Sequence, residues 1–167
     1  KKTSNNIYNI EFVSANPTGP MHVGHCRGAI YGDVLANLLK FNGNKVTKEY
    51  YVNDYGGQIK IFVNSVYHRI LEIKKIKDFP LDKELYPGTY IKDIAKEILD
   101  KKKIKDFRNF DKIYEKLSSE SLKHSMKLIE KNLRLLGINH DNFVYESDLI
   151  NKQTVLKTVR KLKLKNY

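Results

Sequence analysis

The hydrophobic period of this chain switches twice within its first 60 residues, and that switching limits the fold more than any other feature. Ile7 to Ser14 is β-prone and alternating, with Ile7, Tyr8, Ile10, Phe12 and Val13, and predicts a strand. Asn16-Pro17-Thr18-Gly19-Pro20 follows. Two prolines and a glycine so close together neither extend a strand nor open a helix, so this is a loop. From His22 the spacing becomes helical, through Ala29, Ile30, Val34, Leu35, Leu38 and Leu39, with Gly43 as the stop. Lys45 to Val52 predicts a second strand, Asn53 to Gly57 a tight turn, and Gln58 to about Lys75 a second helix.

Strand, loop, helix, strand is a βαβ unit, and such units build parallel sheets with right-handed crossovers. Ligands in these folds sit outside the carboxyl ends of the strands. Both loops, 15–21 and 53–57, lie at such ends. Beyond residue 60 the alternation stops. Phe79-Pro80 and Tyr86-Pro87-Gly88 mark turns, and Thr89 to about Lys102 reads as a helix. Asp111 to Leu136 reads as a longer one, with Ile113, Leu117, Leu122, Met126, Ile129, Leu133 and Leu136 on one apolar face and Gly137 closing it. Phe143 to Tyr145 suggests a short strand, and Thr154 to Leu164 a basic amphipathic helix.

The chemistry concentrates at the start of the first helix. His22 and His25 are three apart and project from one side of its first turn. Free N–H groups and the helix dipole there favour an anion, and imidazole donors add to a phosphate site. Two surface histidines, or half of a metal site, are the competing readings. No acidic or cysteine cluster nearby completes a metal site. Gly24, Gly28 and Gly32 recur every four residues on one face, where missing side chains permit close approach to a strand or a flat ligand. Helix–sheet packing is the plainer role for Gly28 and Gly32. Neither a Walker-type phosphate loop nor a GxGxxG fingerprint is present.

Ala15 to His25, ending in His22-Val23-Gly24-His25, resembles the HIGH region of class I aminoacyl-tRNA synthetases. The longer run from Glu11 through Pro20, with Arg27-Gly28, Gly32-Asp33, Tyr50-Tyr51-Val52-Asn53-Asp54, Gly56 and Gln58, resembles the arginyl-tRNA synthetase family in particular. The likeness is thinner, though in register, through Tyr90-Ile91-Lys92, Leu135-Leu136-Gly137 and Val155 to Tyr167. It implies an α/β fold: the first half of a Rossmann-like, HIGH-type nucleotidyl transferase parallel-sheet domain with a largely helical insertion. Residues 1–60 would then be the first half, 61–140 the connective insertion, and 141–167 a return segment toward a second half with a KMSKS-type loop. A Lys in place of an initial Met, and too little strand to finish the sheet, lead to the expectation that the chain is part of a longer protein and inactive by itself.

The resemblance further implies ATP-dependent activation of L-arginine to arginyl-adenylate, then transfer to tRNA(Arg). ATP and Mg2+ enter as a substrate complex, with no tightly bound cofactor and no resident metal. Family members generally need tRNA bound before they activate arginine. By residue, His22 and His25 match the catalytic histidines, and Pro17, Thr18, Gly19, His22, Gly24 and His25 the ATP-binding set, with adenine resting on Gly24. Glu11 is the candidate for the arginine guanidinium, because a carboxylate makes a bidentate, charged pair with it. Mere solvent exposure on an alternate strand face is the other reading of Glu11. Ser14 and Asn16 would hold the α-amino and carboxylate ends, with Asp54 and Gln58 supporting the pocket.

Composition bears on partners and compartment. A net charge of +12 suits a polyanion such as tRNA, although a Lys-, Asn- and Ile-rich genome would produce the same surplus. The one cysteine, Cys26, cannot form an internal disulfide, which suits a reducing cytoplasm. There is no membrane-length apolar run, and the expected state is a monomer. Competing readings are another class I synthetase or nucleotidylyltransferase, and a non-catalytic tRNA- or RNA-binding module built on the same fold.

Overall fold

The structure is a computed structural model and describes residues 5–165. Strand β1 (Ile7–Glu11), helix α1 (Val23–Phe41) and strand β2 (Lys45–Val52) form the βαβ unit. Helices α2 (Gly57–Ile73), α3 (Thr89–Asp100) and α4 (Phe110–Leu135) follow, then strand β3 (Asn142–Tyr145) and helices α5 (Glu146–Asn151) and α6 (Thr154–Leu164). The chain divides into two compact units. Of the described residues, the first holds 5–16, 22–55 and 136–165, and the second holds 17–21 and 56–135. None of the helices among the described residues is long and apolar enough to cross a membrane.

In the first unit the sheet runs β1-β2-β3, all parallel, with Ile7 opposite Lys45 and Tyr50 opposite Phe143. Helix α1 makes the crossover from β1 to β2, and Gly43 ends it at φ 85°, a conformation that a side chain would resist. The face it buries differs from the one its large apolar residues mark out. Ala29, Gly32 and Ala36 are buried, while Ile30, Val34, Leu35 and Leu38 remain 39–55% exposed. The physical reason is Phe12: a Cβ on Gly32 would collide with its buried ring, so only small residues let the helix approach here. Gly28 behaves otherwise, since a Cβ there would meet nothing within 4 Å, and packing does not explain it.

One polar cluster ties α1 to β2. The Lys48 ammonium donates to Asp33 Oδ1 at 2.6 Å and to Asn37 Oδ1 at 2.9 Å. Asn37 in turn donates to Asp33 Oδ2 at 2.8 Å. The Lys48 and Asp33 side chains are only 10% and 16% exposed, so each charge depends on the other.

The second unit is helical. Its core joins α2 (Phe62, Val63, Val66, Ile70), α3 (Ile91, Ile94, Ala95, Ile98) and Leu117 of α4. Each large side chain fully buried in this way contributes roughly 1.5–3 kcal/mol. Leu117, Met126, Ile129 and Leu133 of α4 are buried as the sequence spacing predicts, whereas Leu136 lies beyond the helix and is exposed. The connection between α2 and α3 is fixed by Arg69, which lies 3.6 Å over the Phe79 ring and donates to Glu72 and to the Pro87 carbonyl.

Candidate active site

The strand β1 stops earlier than its sequence suggests. It ends at Glu11, and Val13 and Ser14 adopt φ 69° and 41°. The Ser14 N–H donates to the Phe12 carbonyl at 3.0 Å across Val13, closing a three-residue turn of the γ type. A β-branched residue at positive φ is strained, at a cost of roughly 1–3 kcal/mol, and such strain persists only where surrounding contacts enforce it.

Neighbouring side chains supply those contacts. The Ser14 hydroxyl turns back to donate to Glu11 Oε1 at 2.5 Å and accepts the Tyr51 N–H at 3.0 Å. The Tyr50 hydroxyl donates to the Ala15 carbonyl at 2.8 Å. Asn53 Nδ2 donates to Asn16 Oδ1 at 3.1 Å. Three successive residues after β1 are thus fastened to Tyr50 and Tyr51 of β2 and to Asn53 just beyond it. Tyr50 is fully buried, and burial drives its hydroxyl pKa far up, so it remains a donor at any ordinary pH. The outcome is an exposed carboxylate, Glu11, held at the carboxyl end of the sheet.

Asp54 has a different partnership. Its Oδ1 accepts the Ser147 N–H at 2.9 Å and its Oδ2 the Ser147 hydroxyl at 2.6 Å. Both oxygens therefore serve the first turn of α5, where unpaired N–H groups favour an anion. Gln58 lies exposed on the first turn of α2, in the second unit.

His22 is the N-cap of α1 and lies just outside its first turn. His22 Nδ1 accepts the Gly24 N–H at 3.1 Å, and His25 Nδ1 accepts the His22 N–H at 3.3 Å. This reciprocal pair is a capping box built from two imidazoles. It also sets their tautomer. A ring nitrogen that accepts cannot carry the proton, so in the neutral state each Nε2 is the N–H donor. The rings stack with centroids 3.7 Å apart. Partial burial, and then the neighbouring His22, lower the His25 pKa and favour that neutral donor. Gly24 is needed here too, since a Cβ on it would press within 3.0 Å of His22 Cε1. Of the other ATP-binding candidates, Pro17, Thr18 and Gly19 belong to the second unit.

Several site residues escape sequence reasoning. Tyr50, Tyr51 and Asn53 lie within a run that resembles the family, but nothing local shows that they fasten the loop after β1. Ser147 is invisible to it because its partner Asp54 is 93 positions away.

The first unit thus presents a parallel sheet with two stacked histidines at the start of its crossover helix and an exposed carboxylate at the end of its first strand. The family model for class I tRNA synthetases (R), catalytic domain, matches residues 1–166. The chain belongs to that family, the class I arginyl-tRNA synthetases. It is 51% identical over 159 residues to the arginine–tRNA ligase of Pelagibacter ubique, covering 95% of this chain and 28% of that protein. It is 47% identical over 159 residues to the arginine–tRNA ligase of Anaplasma phagocytophilum, covering 95% of this chain and 27% of the relative. A solved arginyl-tRNA synthetase structure from Campylobacter jejuni matches at TM-score 0.83 and 33% identity, over 98% of this chain and 36% of that one. The Thermus thermophilus arginyl-tRNA synthetase, at 19% identity and TM-score 0.61, shares the fold. The chain therefore spans little more than a quarter of the length of the curated relatives it matches.

Proposed function

We propose that the protein to which this chain belongs is an arginine–tRNA ligase. A carboxylate oxygen of L-arginine attacks the α-phosphorus of Mg2+-bound ATP, pyrophosphate leaves, and the arginyl group then passes to the terminal ribose of tRNA(Arg). The observation that carries this reading is the pair of imidazole Nε2–H donors fixed by the capping box of His22 and His25. Preorganised donors of this kind stabilise charge that develops on phosphate oxygens, typically by 10²–10³ in rate for each.

Glu11 supplies the charge that a guanidinium requires, and Ser14 and Asn16, fixed beside it by Tyr51 and Asn53, are assigned to the α-amino and carboxylate ends of arginine. Pro17, Thr18, Gly19 and Gly24 complete the ATP-binding set, with Gly24 beneath adenine. Asp54 supports the pocket indirectly, by joining the end of β2 to α5, and Gln58 is assigned to the same support. Residues 1–60 and 141–167 are read as catalytic-domain segments and 61–140 as the connective insertion. The charge of +12 favours tRNA as the partner, in a monomeric cytoplasmic enzyme. The 167-residue chain by itself is expected to be inactive, because it spans only about 28% of its relatives.

The test is transfer of labelled amino acid to total tRNA by the full-length protein. Charging with arginine and none of the other nineteen supports the reading. Charging with a different amino acid overturns the arginine assignment, and tRNA retention on a filter without any charging marks a binding module.

A further inference from the structure

The loop at 17–21 is held by two side chains that have no place in the site described so far. The Tyr90 hydroxyl donates to the Thr18 carbonyl at 3.0 Å. The Tyr90 ring also fills the space beside Gly19, where a Cβ would lie 2.9 Å from Cζ, and crowds Gly88. Burial raises the Tyr90 hydroxyl pKa to about 12, so it keeps its proton. At the other end of the loop, the Met21 N–H donates to Asn132 Oδ1 at 3.2 Å. Tyr90 sits in the first turn of α3 and Asn132 near the end of α4, both in the second unit, as is the loop.

Two of the five loop residues are prolines, so only Thr18, Gly19 and Met21 have an N–H to give. Asn132 takes the one at Met21. The bond from Tyr90 sets the direction of another. No peptide bond among the described residues is cis, and in a trans peptide the N–H points opposite to the preceding C=O. With the Thr18 carbonyl turned to Tyr90, the Gly19 N–H points away from Tyr90.

We propose that Tyr90 and Asn132 are positioning residues for ATP: together they lock the 17–21 loop, and Tyr90 aims the Gly19 N–H as a donor to the nucleotide. This rests on the ligase reading above, in which residues 17–19 contact ATP. Because the anchors come from the helical segment, the insertion takes part in nucleotide binding as well as separating the two ends of the sheet in sequence.

The experiment uses the full-length enzyme with Tyr90→Phe, Asn132→Leu and Asn132→Asp, in arginine-dependent ATP–pyrophosphate exchange. Tyr90→Phe keeps the ring and loses only the donor. Asn132→Asp keeps an acceptor for the Met21 N–H, whereas Asn132→Leu does not. The expected result is a rise of about tenfold in KM for ATP in Tyr90→Phe and Asn132→Leu, the scale of one lost hydrogen bond. KM for arginine stays at its wild-type value, the melting temperature falls by no more than one lost hydrogen bond would cause, and Asn132→Asp restores KM for ATP. Hydrogen exchange on a peptide spanning 17–25 should quicken in Asn132→Leu and not in Asn132→Asp, whether or not the enzyme turns over. Wild-type KM for ATP in both loss variants overturns the proposal, as does a rise in KM for arginine in step with that for ATP, or unchanged exchange in Asn132→Leu. Lack of exchange activity in the wild type counts against the ligase reading instead, and the hydrogen-exchange arm then decides whether Asn132 holds the loop.

Discussion

His22 has two roles in this account, and they separate by mutation. Its Nδ1 caps α1 by accepting the Gly24 N–H at 3.1 Å, and its Nε2–H is the donor proposed for ATP. Loss of an N-cap acceptor costs about 1 kcal/mol of stability. Loss of a preorganised donor to a developing negative charge costs about 3 kcal/mol in the transition state, or 10²–10³ in rate. His22→Ala removes both. His22→Ser removes only the second, because a serine oxygen at the N-cap accepts the same N–H, and the main-chain bond from residue 22 to His25 Nδ1 survives. Thermal melting and ATP–pyrophosphate exchange on the full-length enzyme therefore diverge. His22→Ala should melt lower and lose at least 10²-fold in rate. His22→Ser should melt close to wild type, because its oxygen keeps the cap, yet be as slow as His22→Ala. Exchange by His22→Ser within about threefold of wild type would refute the reasoning and leave His22 as a helix cap alone.

Other perturbations test the remaining parts. Glu11→Gln keeps the acceptor for the Ser14 hydroxyl but removes the charge, so kcat/KM for arginine should fall about 10–150-fold with KM for ATP unchanged, and an unaltered arginine KM would remove Glu11 from the pocket. Asp33→Ala strands the buried Lys48 ammonium and should cost about 3 kcal/mol in urea unfolding, most of it recovered in Asp33→Leu with Lys48→Met; equal loss in the single and double variants would contradict the ion-pair account. The pKa values of His25, His68, His124 and His140 are all lowered, chiefly by burial, below the 6.5 of an unfolded histidine. The folded chain then binds fewer protons than the unfolded one, so stability is full above about pH 6.5 and falls as acid is added through the folded values. Denaturant midpoints that stay flat from pH 7.5 to 5.5 would contradict those directions.

The βαβ core was legible because a period of two gives way to 3.6 and back, and β3 was caught by the same aromatic and β-branched signal at Phe143 to Tyr145. What was not legible had local signals that were absent or pointed the wrong way. Val13 is β-branched and reads as strand, yet it sits at φ 69° because Tyr50, Tyr51 and Asn53 fasten the next three residues. The buried face of α1 is Ala29, Gly32 and Ala36, too small to stand out beside Ile30, Val34 and Leu35. Helix α5 has six residues and its anion, Asp54, comes from 93 positions earlier, so periodicity could not find it. The histidines were found by their spacing, but their tautomer emerges only from the two Nδ1 bonds.

The central claim is that these histidines and Glu11 belong to an enzyme that activates arginine. ATP–pyrophosphate exchange by the full-length protein tests it most directly, with each of the twenty amino acids, with and without total tRNA. The account predicts exchange with arginine alone, stimulated by tRNA. Exchange with another amino acid, or none from folded protein under any condition, would contradict it.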